Sequence, residues 1–255
     1  MRFACLGSGS RGNAWLVESG GTRVLVDCGF SVRETVRRLQ RLGVEAESIA
    51  AVLLTHEHAD HARGVASFAA RHGCEVWLTH GARVMLDAVG DAPSRLREIG
   101  SHAAFTLGDF EVAPVAVPHD AREPVQFVFG DGRLRFGILT DAGHVTAHMV
   151  TMFAECDALA IECNHDVDLL RRGGYPAALK ARILGRYGHL DNAMAGEFLA
   201  KVGGRRLQHV VAAHLSEENN RPELARQALA AALGCEEDWI GVAGQDDGCA
   251  WRQIA

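Results

Sequence analysis

The stretch that decides the fold is Thr55-His56-Glu57-His58-Ala59-Asp60-His61, which places four potential metal ligands within six residues. The apolar run 49–54 before it predicts a buried strand, and residues 64–71 after it predict the start of a helix. Side chains two apart on extended backbone point the same way, so His56 and His58 can reach one metal ion. The helix then turns Asp60 and His61 toward a neighbouring position. The pattern therefore indicates a two-metal hydrolytic site, and a chance cluster in a polar loop is the weaker alternative.

Several further segments follow along the chain in a fixed order. They are Gly7-Ser8-Gly9-Ser10-Arg11-Gly12-Asn13, Val26-Asp27-Cys28-Gly29, Pro118-His119-Asp120-Ala121, Thr140-Asp141-Ala142-Gly143, Glu162-Cys163-Asn164-His165-Asp166, Gly188-His189-Leu190 and His214-Leu215-Ser216-Glu217-Glu218-Asn219-Asn220. With these segments and the motif H-x-H-x-D-H, the chain resembles the metallo-β-lactamase superfamily and, within it, the YycJ/WalJ-like branch. The resemblance implies an α/β (α+β) fold, a four-layer αββα sandwich with the metal site at the edge of the sheets. It also implies a single domain over residues 1–255, where composition alone indicates only mixed α and β structure.

The composition is that of an ordinary globular chain. Its 255 residues are 48% hydrophobic and 23% charged, enough to bury one substantial core. The apolar patch at residues 3–6 is too short for a secretory signal or a membrane span, so no membrane partner is expected. Seven cysteines without a C-x-x-C pair fit free thiols in a reducing compartment, and we expect a cytoplasmic location.

The net charge of −6 gives no global sign of nucleic-acid binding. Locally, residues 169–190 contain five basic residues and no acidic ones. They are Arg171, Arg172, Lys180, Arg182 and Arg186. A second basic cluster, Arg33, Arg37, Arg38 and Arg41, recurs at helical spacing. Phosphate contact and a solvated helix face are both open for the first stretch, and the solvated face is favoured for the second.

Periodicity and turn residues predict alternating strands and helices in both halves of the chain. The predicted strands are 2–6, 13–18, 22–27, 49–54, 75–78, 110–117, 125–129, 134–139, 157–162 and 207–213. Helices are predicted from the cap at Ser31 to about 42, from 64, after 80, and over 166–171, 176–184, 192–202 and 222–233. No linker or internal repeat divides these elements.

The remaining metal ligands are supplied by the resemblance. It implies that His119 completes the set of the first ion, that Asp141 bridges both ions and that His214 joins the set of the second. The implied ligands are His56, His58 and His119 for the first ion, Asp60, His61 and His214 for the second, and Asp141 for both. Each of the three added residues follows a predicted strand, and the two oxygens of a carboxylate suit a bridging position.

The reaction follows from the pair of ions. Two ions about 3.5–4 Å apart lower the pKa of a shared water from about 15.7 toward 7, so a metal-bridging hydroxide is the expected nucleophile. No G-x-S-x-G segment competes for this role. The expected catalytic residues are Asp60, as a ligand, and His189. In related phosphodiesterases a histidine in the region of His189 donates a proton to the leaving oxygen or contacts the scissile phosphate.

Polar residues around these ligands are candidates for substrate binding. They are Ser8, Ser10, Asn13, His165 and His189. The glycine-rich turn 7–10 resembles a phosphate loop but lacks the Lys-Ser/Thr ending, so backbone geometry explains it equally well. Glu162, Asn164 and His165 are candidates for orienting ligands, with structural hydrogen bonding as a close alternative. The branch usually has serine where this chain has Asp191. His72, His80, His102, His148 and His209 are interpreted as residues outside the site.

Two divalent ions are the expected cofactors, with zinc favoured and manganese or iron possible, because the implied set contains imidazoles and carboxylates but no thiolate. The leading functional hypothesis is a phosphodiesterase or nuclease acting on DNA or RNA ends or oligonucleotides. The resemblance suggests a 5′-to-3′ DNA exonuclease. A thioester, lactone or β-lactam hydrolase could use the same site, and a non-enzymatic sensor or binding protein is the third alternative. The sequence does not specify the oligomeric state.

Overall fold

The computed structural model describes residues 1–90 and 93–255. Within these ranges the strands are β1 (Arg2–Gly7), β2 (Ala14–Ser19), β3 (Thr22–Val26), β4 (Ala51–Leu53), β5 (Glu75–Thr79), β6 (Leu96–Ile99), β7 (Phe105–Leu107), β8 (Phe110–Ala116), β9 (Val125–Gly130), β10 (Arg135–Leu139), β11 (Ala158–Glu162), β12 (His209–Ala213), β13 (Gly241–Val242) and β14 (Cys249–Gln253). The α-helices are α1 (Val32–Arg41), α2 (Ala59–Ala62), α3 (Val65–His72), α4 (His80–Val89), α5 (Ala147–Phe153), α6 (Val167–Arg172), α7 (Ala177–Ile183), α8 (Asn192–Val202) and α9 (Pro222–Leu233). Short 3₁₀ turns cover Ala46–Ser48 and Glu237–Trp239.

The strands form two mixed sheets of seven strands each within the described residues. The first has the order β14-β1-β2-β3-β4-β5-β6, and the second β13-β12-β11-β10-β9-β8-β7. Strands β3 to β6 run parallel in the first sheet, and β10 to β13 run parallel in the second. The remaining pairs are antiparallel.

The two sheets pack face to face, with helices covering both outer faces. The central core contains Phe3 and Phe136, one from each sheet, whose rings stack with centroids 4.1 Å apart. Alternate residues of each strand face this core and a helix layer, because side chains alternate along a strand and both faces are buried. Leu25 thus belongs to a buried cluster with residues of α1, α3 and α4, and Leu159 belongs to one with residues of α5, α8 and α9. The predicted αββα sandwich is confirmed.

The carboxyl ends of the parallel strands meet at one edge of this sandwich. Asp27 follows β3, Asp141 follows β10, and His214 follows β12. The segment 54–61 leaves β4 at the same edge, and Glu162 ends β11. In open α/β sheets this edge is where ligands bind, because loops there converge while the strands hold them rigidly.

Several element boundaries differ from the sequence prediction. The strand predicted over 49–54 is only Ala51–Leu53, and that predicted over 207–213 begins at His209. Five elements were missed. They are β6, β7, β13, β14 and α5. The four strands are short or lie at sheet edges with exposed residues, so the alternation that marks a strand is weak in them.

The basic cluster on α1 divides into two pairs: Arg33 and Arg37 are exposed on the helix surface, and Arg38 and Arg41 contact the rest of the fold. Arg38 is buried and donates hydrogen bonds to the carbonyl oxygens of Leu6 and Gln245, at 2.7 and 2.8 Å. Its guanidinium also lies 4.0 Å from the centroid of the Phe30 ring. Arg41 bonds to the carbonyl oxygen of Leu6 at 3.3 Å. These contacts connect α1 to β1 and to the segment at Gln245, and they give Arg38 and Arg41 a structural role, while the exposed Arg33 and Arg37 fit the solvated helix face that was favoured.

Candidate metal centre

All seven predicted ligands lie together at the sheet edge. Ligand atoms of His56, His58 and His119 lie within 4.8 Å of one another, and so do those of Asp60, His61 and His214. Asp141 connects the two groups. Its carboxylate forms one set within the same 4.8 Å limit with His56 and His61, and a second with Glu162, His189 and His214. None of the five histidines interpreted as lying outside the site enters these sets in the described part of the chain.

The donor atoms have the arrangement expected for cation ligands. His56 Nε2, Asp141 Oδ2 and His214 Nδ1 are buried and have no aligned hydrogen-bond partner among the described residues. The oxygens of Asp141 nevertheless lie 2.8 Å from His61 Nε2 and 2.9 Å from His214 Nδ1. Buried polar atoms almost always have a partner. Ring nitrogens and carboxylate oxygens that lie close together without forming aligned hydrogen bonds therefore indicate that they bind a common cation. The residues therefore fit bound divalent ions.

Asp27 fixes the orientation of the first histidine through Thr55. The carboxylate of Asp27 accepts hydrogen bonds from the Thr55 backbone N–H at 2.8 Å and from its hydroxyl at 3.0 Å. With its proton donated to Asp27, the Thr55 oxygen accepts from His56 Nδ1 at 3.0 Å. His56 Nε2 then carries a lone pair and faces the site. Burial, together with the charge of nearby His61, lowers the pKa of His56 well below its usual value, which keeps the ring neutral.

The same carboxylate orients His61. Asp27 Oδ2 lies 2.7 Å from His61 Nδ1, which leaves His61 Nε2 to face Asp60 and Asp141 at 3.3 and 2.8 Å. This carboxylate–histidine arrangement is the usual support for a metal-binding imidazole. Burial raises the pKa of Asp27, while the positive charge of His61 and hydrogen bonds from Thr55 oppose that shift. Asp27 lies in a motif quoted for the resemblance, but its role could not be inferred before the backbone brought it under both histidines.

The exchange Asp27→Asn should weaken metal binding about 10- to 100-fold, the usual effect of losing a supporting carboxylate. An amide that keeps the Thr55 bond through its oxygen directs its N–H₂ toward His61 Nδ1, so the ring loses the orientation that exposes Nε2. Metal affinity is measured by competition with a chromogenic chelator. Asp157→Asn is the matched control, because Asp157 is equally buried but sits at the opposite end of β11, bonded to Arg135 N and Arg206. Equal affinity in Asp27→Asn and the wild type would contradict this role.

Three residues at the site have left-handed backbone. The φ angles of Asp27, Asp141 and His214 are 63°, 55° and 52°, a region that non-glycine residues rarely occupy. Such conformations cost about 1–3 kcal/mol each and persist where the surroundings impose them. Ser8 Oγ accepts the His214 backbone N–H at 2.9 Å, and Asn164 donates to the His214 carbonyl oxygen at 3.1 Å. The strand ends direct the side chains of Asp27, Asp141 and His214 toward the site, and these two bonds hold the backbone of His214 in place.

His119, the histidine that follows β8, is held by a backbone carbonyl group. His119 Nδ1 donates to the oxygen of Gly188 at 3.0 Å, and its Nε2 lies 3.3 Å from His58 Nδ1. Two ring nitrogens that face each other at this distance need a proton or a cation between them. Burial lowers the pKa of His119, although Asp141 opposes that shift, so a neutral ring that can bind a cation is favoured.

His189 is held by two carboxylates. His189 Nδ1 lies 2.7 Å from Glu162 Oε1 and 3.2 Å from Asp141 Oδ1. Burial alone would lower its pKa, but Glu162 and Asp141 raise the pKa of His189 to about 10. The other oxygen of Glu162 accepts the backbone N–H groups of Ala142 and Leu190 at 2.9 and 3.1 Å. Glu162 thereby connects the loops that carry Asp141 and His189, and its contacts fit both roles that the sequence left open, orienting site residues and structural hydrogen bonding.

A cleft of about 290 Å³ opens above the ligands. Its floor includes His58, Asp60 and Asp141, and its wall is the segment 175–189 with Tyr175, Arg182 and His189. Arg182 Nε lies 2.5 Å from Asp120 Oδ2. Of the five basic residues in the stretch 169–190, all within the described chain, Arg182 is the one that lines this cleft.

The predicted substrate-binding residues occupy different places. Ser10 is exposed and lines the cleft. Asn13 is fully buried, accepts from Gly9 N at 2.9 Å and lies 3.1 Å from His61 Nε2, and Ser8 is buried against His214. The buried positions of Ser8 and Asn13 differ from the direct substrate contact predicted for them. Both side chains lie behind the metal ligands, where they can position the ligands but cannot reach a substrate. His165 is 1% exposed and lines a second cavity behind His189.

Comparison with known proteins agrees with this geometry. A profile of the beta-lactamase superfamily domain matches residues 22–214. The exodeoxyribonuclease WalJ of Streptococcus pneumoniae serotype 2 (strain D39 / NCTC 7466) is 33% identical over 248 residues, covering 95% of this chain and 91% of that protein. The exodeoxyribonuclease YycJ of Bacillus anthracis is 34% identical over 244 residues, covering 95% and 92%. The solved structure of the metallo-β-lactamase-fold protein YhfI from Bacillus subtilis covers 99% of each chain with a TM-score of 0.76 at 16% identity, a likeness of fold.

The chain therefore belongs to the metallo-β-lactamase superfamily. Its relatives identify it, more narrowly, as a member of the YycJ/WalJ-like branch, as the sequence motifs predicted. It is a metal-dependent hydrolase, and its fold and donor set imply divalent metal ions. None of the described helices has the length and apolarity needed to cross a bilayer.

Proposed function

We propose that this chain is a two-metal phosphodiesterase that shortens DNA from its ends in the 5′-to-3′ direction. The observation that carries the proposal is the pair of donor sets joined by Asp141, at the floor of a cleft that also presents Arg182 and His189. A metal pair, a cation and a proton donor are the parts that phosphodiester hydrolysis requires. The exodeoxyribonuclease names of relatives that are 33% and 34% identical over most of the chain support DNA as the substrate.

Two zinc ions are the proposed cofactors, with manganese or iron as alternatives. His56, His58 and His119 would hold one ion, Asp60, His61 and His214 the other, and Asp141 both. When bound, such ions supply Lewis-acid stabilisation of the phosphate charge and a water of lowered pKa. The imidazole-rich set favours zinc. Because no cysteine enters the sets found in the described residues, manganese and iron also fit these ligands.

The protein's own groups handle the proton and the leaving oxygen. A water oxygen forms a bond to phosphorus while the bond from phosphorus to the ester oxygen breaks. His189, held by Glu162 through Nδ1, donates the proton on Nε2 to the departing oxygen and regains one from the water that reacted. The negative charge of Glu162 raises the pKa of His189, which favours the protonated ring that a proton donor needs.

Arg182 is the proposed contact for a phosphate of the substrate. Its side chain is 58% exposed, and its one carboxylate partner among the described residues is Asp120, at the rim of the cleft. An exposed ion pair is weak, so a phosphate can take the place of Asp120 at little cost. Arginine suits this role because its planar group can bind two phosphate oxygens.

Residues 1–255 are proposed to act as one domain, because both halves of the chain contribute groups to the same ligand sets. A cytoplasmic location is proposed as well. It is supported by the seven free cysteines of the described chain, five of them buried.

The test uses end-labelled single- and double-stranded DNA, matching RNA, and bis-p-nitrophenyl phosphate, each with added zinc or manganese. We expect stepwise shortening of DNA from the 5′ end and slower hydrolysis of the small diester. Nitrocefin and lactoylglutathione are assayed in parallel for the thioester and β-lactam alternative. Turnover of either that far exceeds phosphodiester cleavage, or no cleavage of any phosphodiester with any metal, would overturn the proposal.

A further inference from the structure

A second cavity of about 310 Å³ lies next to His189, which also lines the metal cleft. Among the residues that line the two spaces, His189 is the one they share. The chain between Arg182 and His189 forms the partition, because Arg182 and Gly188 face the cleft while Leu184 and Arg186 face the second cavity. We call this space the side cavity.

The partition is held firmly against the loops that carry the ligands. Asp120 N donates to the oxygen of Tyr187 at 3.1 Å, and His144 Nδ1 bonds to the oxygen of Arg186 at 2.8 Å. Gly143 packs so closely that a Cβ there would lie 2.3 Å from the oxygen of Arg186. The side cavity is therefore a formed part of the fold.

His165, one of the residues that line the side cavity, has a buried ring nitrogen without a hydrogen-bond partner among the described residues. Asn164 donates its amide N–H to the His214 carbonyl at 3.1 Å, which directs its oxygen toward His165 Nδ1 at 3.3 Å. His165 Nδ1 must then carry the ring proton, and Nε2 is left as an acceptor with no partner among the described residues. Burial lowers the pKa of His165, which is consistent with a neutral ring. A ligand that offers an O–H or N–H group would satisfy this atom.

The other walls suit a flat, partly apolar ligand with a phosphate at one end. Met194 and Leu184 contribute apolar surface, and Leu184 is 42% exposed. The guanidinium of Arg186 makes no ion pair with any described residue. Asp191, the acidic residue of the lining, is engaged by the backbone N–H of Met194 at 2.8 Å. Pockets of this size bind small molecules through a few polar groups on apolar walls.

We propose that the side cavity binds the nucleoside that leaves when the phosphodiester is cut. The inference rests on the proposed function, because it places the scissile phosphate in the cleft and its leaving oxygen beside His189. The nucleoside attached to that oxygen then lies next to His189, and the side cavity is the second space that His189 lines. His165 accepts a hydrogen bond from a hydroxyl or base N–H of this nucleoside, Met194 packs on the base, and Arg186 meets the next phosphate.

The test compares two substrates that differ in the leaving group. In a DNA oligonucleotide the leaving oxygen belongs to a nucleoside of the strand, whereas in bis-p-nitrophenyl phosphate it belongs to p-nitrophenolate. Met194→Trp fills the side cavity without altering a ligand, and we expect kcat/KM for the oligonucleotide to fall about tenfold or more while that for the small diester stays within about twofold. Met85→Trp is the matched control, because Met85 is exposed on α4, and both substrates should be cut at wild-type rates.

His165→Phe provides a second variant that keeps the ring and removes the acceptor, with melting curves to check folding. The same selective loss is expected, and free thymidine should inhibit the wild type more strongly than either variant. An equal fall on both substrates, or no fall on either, overturns the inference while leaving the proposed function intact. Absence of phosphodiester cleavage by the wild type would instead overturn the proposed function itself.

Discussion

Asp141→Asn should lower turnover at least about 10⁴-fold, because the bridging carboxylate is the group that both ligand sets share. The amide has the same shape, but it carries no charge to offset two cations and replaces one oxygen with an N–H₂ group. The fold should hardly change, since asparagine tolerates the left-handed backbone at this position, where φ is 55°. The effect would therefore be chemical and not a consequence of unfolding.

The measurement for Asp141→Asn pairs turnover with metal content by elemental analysis. Two ions per chain are expected in the wild type and at most one in the variant, with similar melting temperatures. Asp131→Asn is the control, because Asp131 caps the turn between β9 and β10 and accepts from Arg133 N and Leu134 N. A variant that keeps two ions and near wild-type turnover would show that Asp141 does not bridge.

His189→Gln should lower kcat on DNA about 10²- to 10⁴-fold, the range of a lost general acid. The loss on bis-p-nitrophenyl phosphate should be much smaller, because p-nitrophenolate leaves without needing a proton. This contrast separates proton donation from general damage to the site. His80→Gln serves as the control, since His80 is exposed and pairs with Glu98 at 3.2 Å.

Metal content decides between two roles for His189. The ring also belongs to the donor set of Asp141, Glu162 and His214, so it could bind a cation directly. A proton donor can be removed without loss of metal, whereas a ligand cannot. If His189→Gln loses an ion, or if both substrates slow equally, the proton-donor assignment fails.

The sequence predicted the parts of the site that follow from local geometry. The motif 55–61 does leave a parallel strand and turn into a helix, so His56 and His58 face one position while Asp60 and His61 face the next. His119, Asp141 and His214 depended on resemblance, because each is an isolated residue after a strand. Only the packing of the two sheets brings these strand ends to one edge.

The role of Asp27 illustrates what the sequence could not provide. An aspartate before cysteine and glycine is an ordinary turn residue by pattern. Its contacts with Thr55 and His61 require the left-handed backbone at φ 63° and the parallel pairing of β3 with β4. The nearby glycine-rich turn 7–10 resembles a phosphate loop in sequence. Asn13 instead directs its amide toward Gly9 and His61, since the turn lies behind the ligands.

Short edge elements were missed for a different reason. In β6 the middle residues Arg97 and Glu98 are exposed, so no alternation stands out over its four residues. Helix α5 contains Val150 and Thr151, β-branched residues with low helix propensity, and it begins at the cap Thr146. Such elements depend on their neighbours for stability, and their own sequence gives little sign of them.

The position of β14 has a consequence for biosynthesis. This last strand pairs with β1, and Ile254 beyond it is fully buried with its N–H bonded to the Met1 oxygen at 2.9 Å. During synthesis β1 therefore keeps an open edge until residues 249–253 have been made and have left the ribosome. Unpaired edges invite association with other chains, so chaperones are expected to bind along β1 before β14 pairs with it.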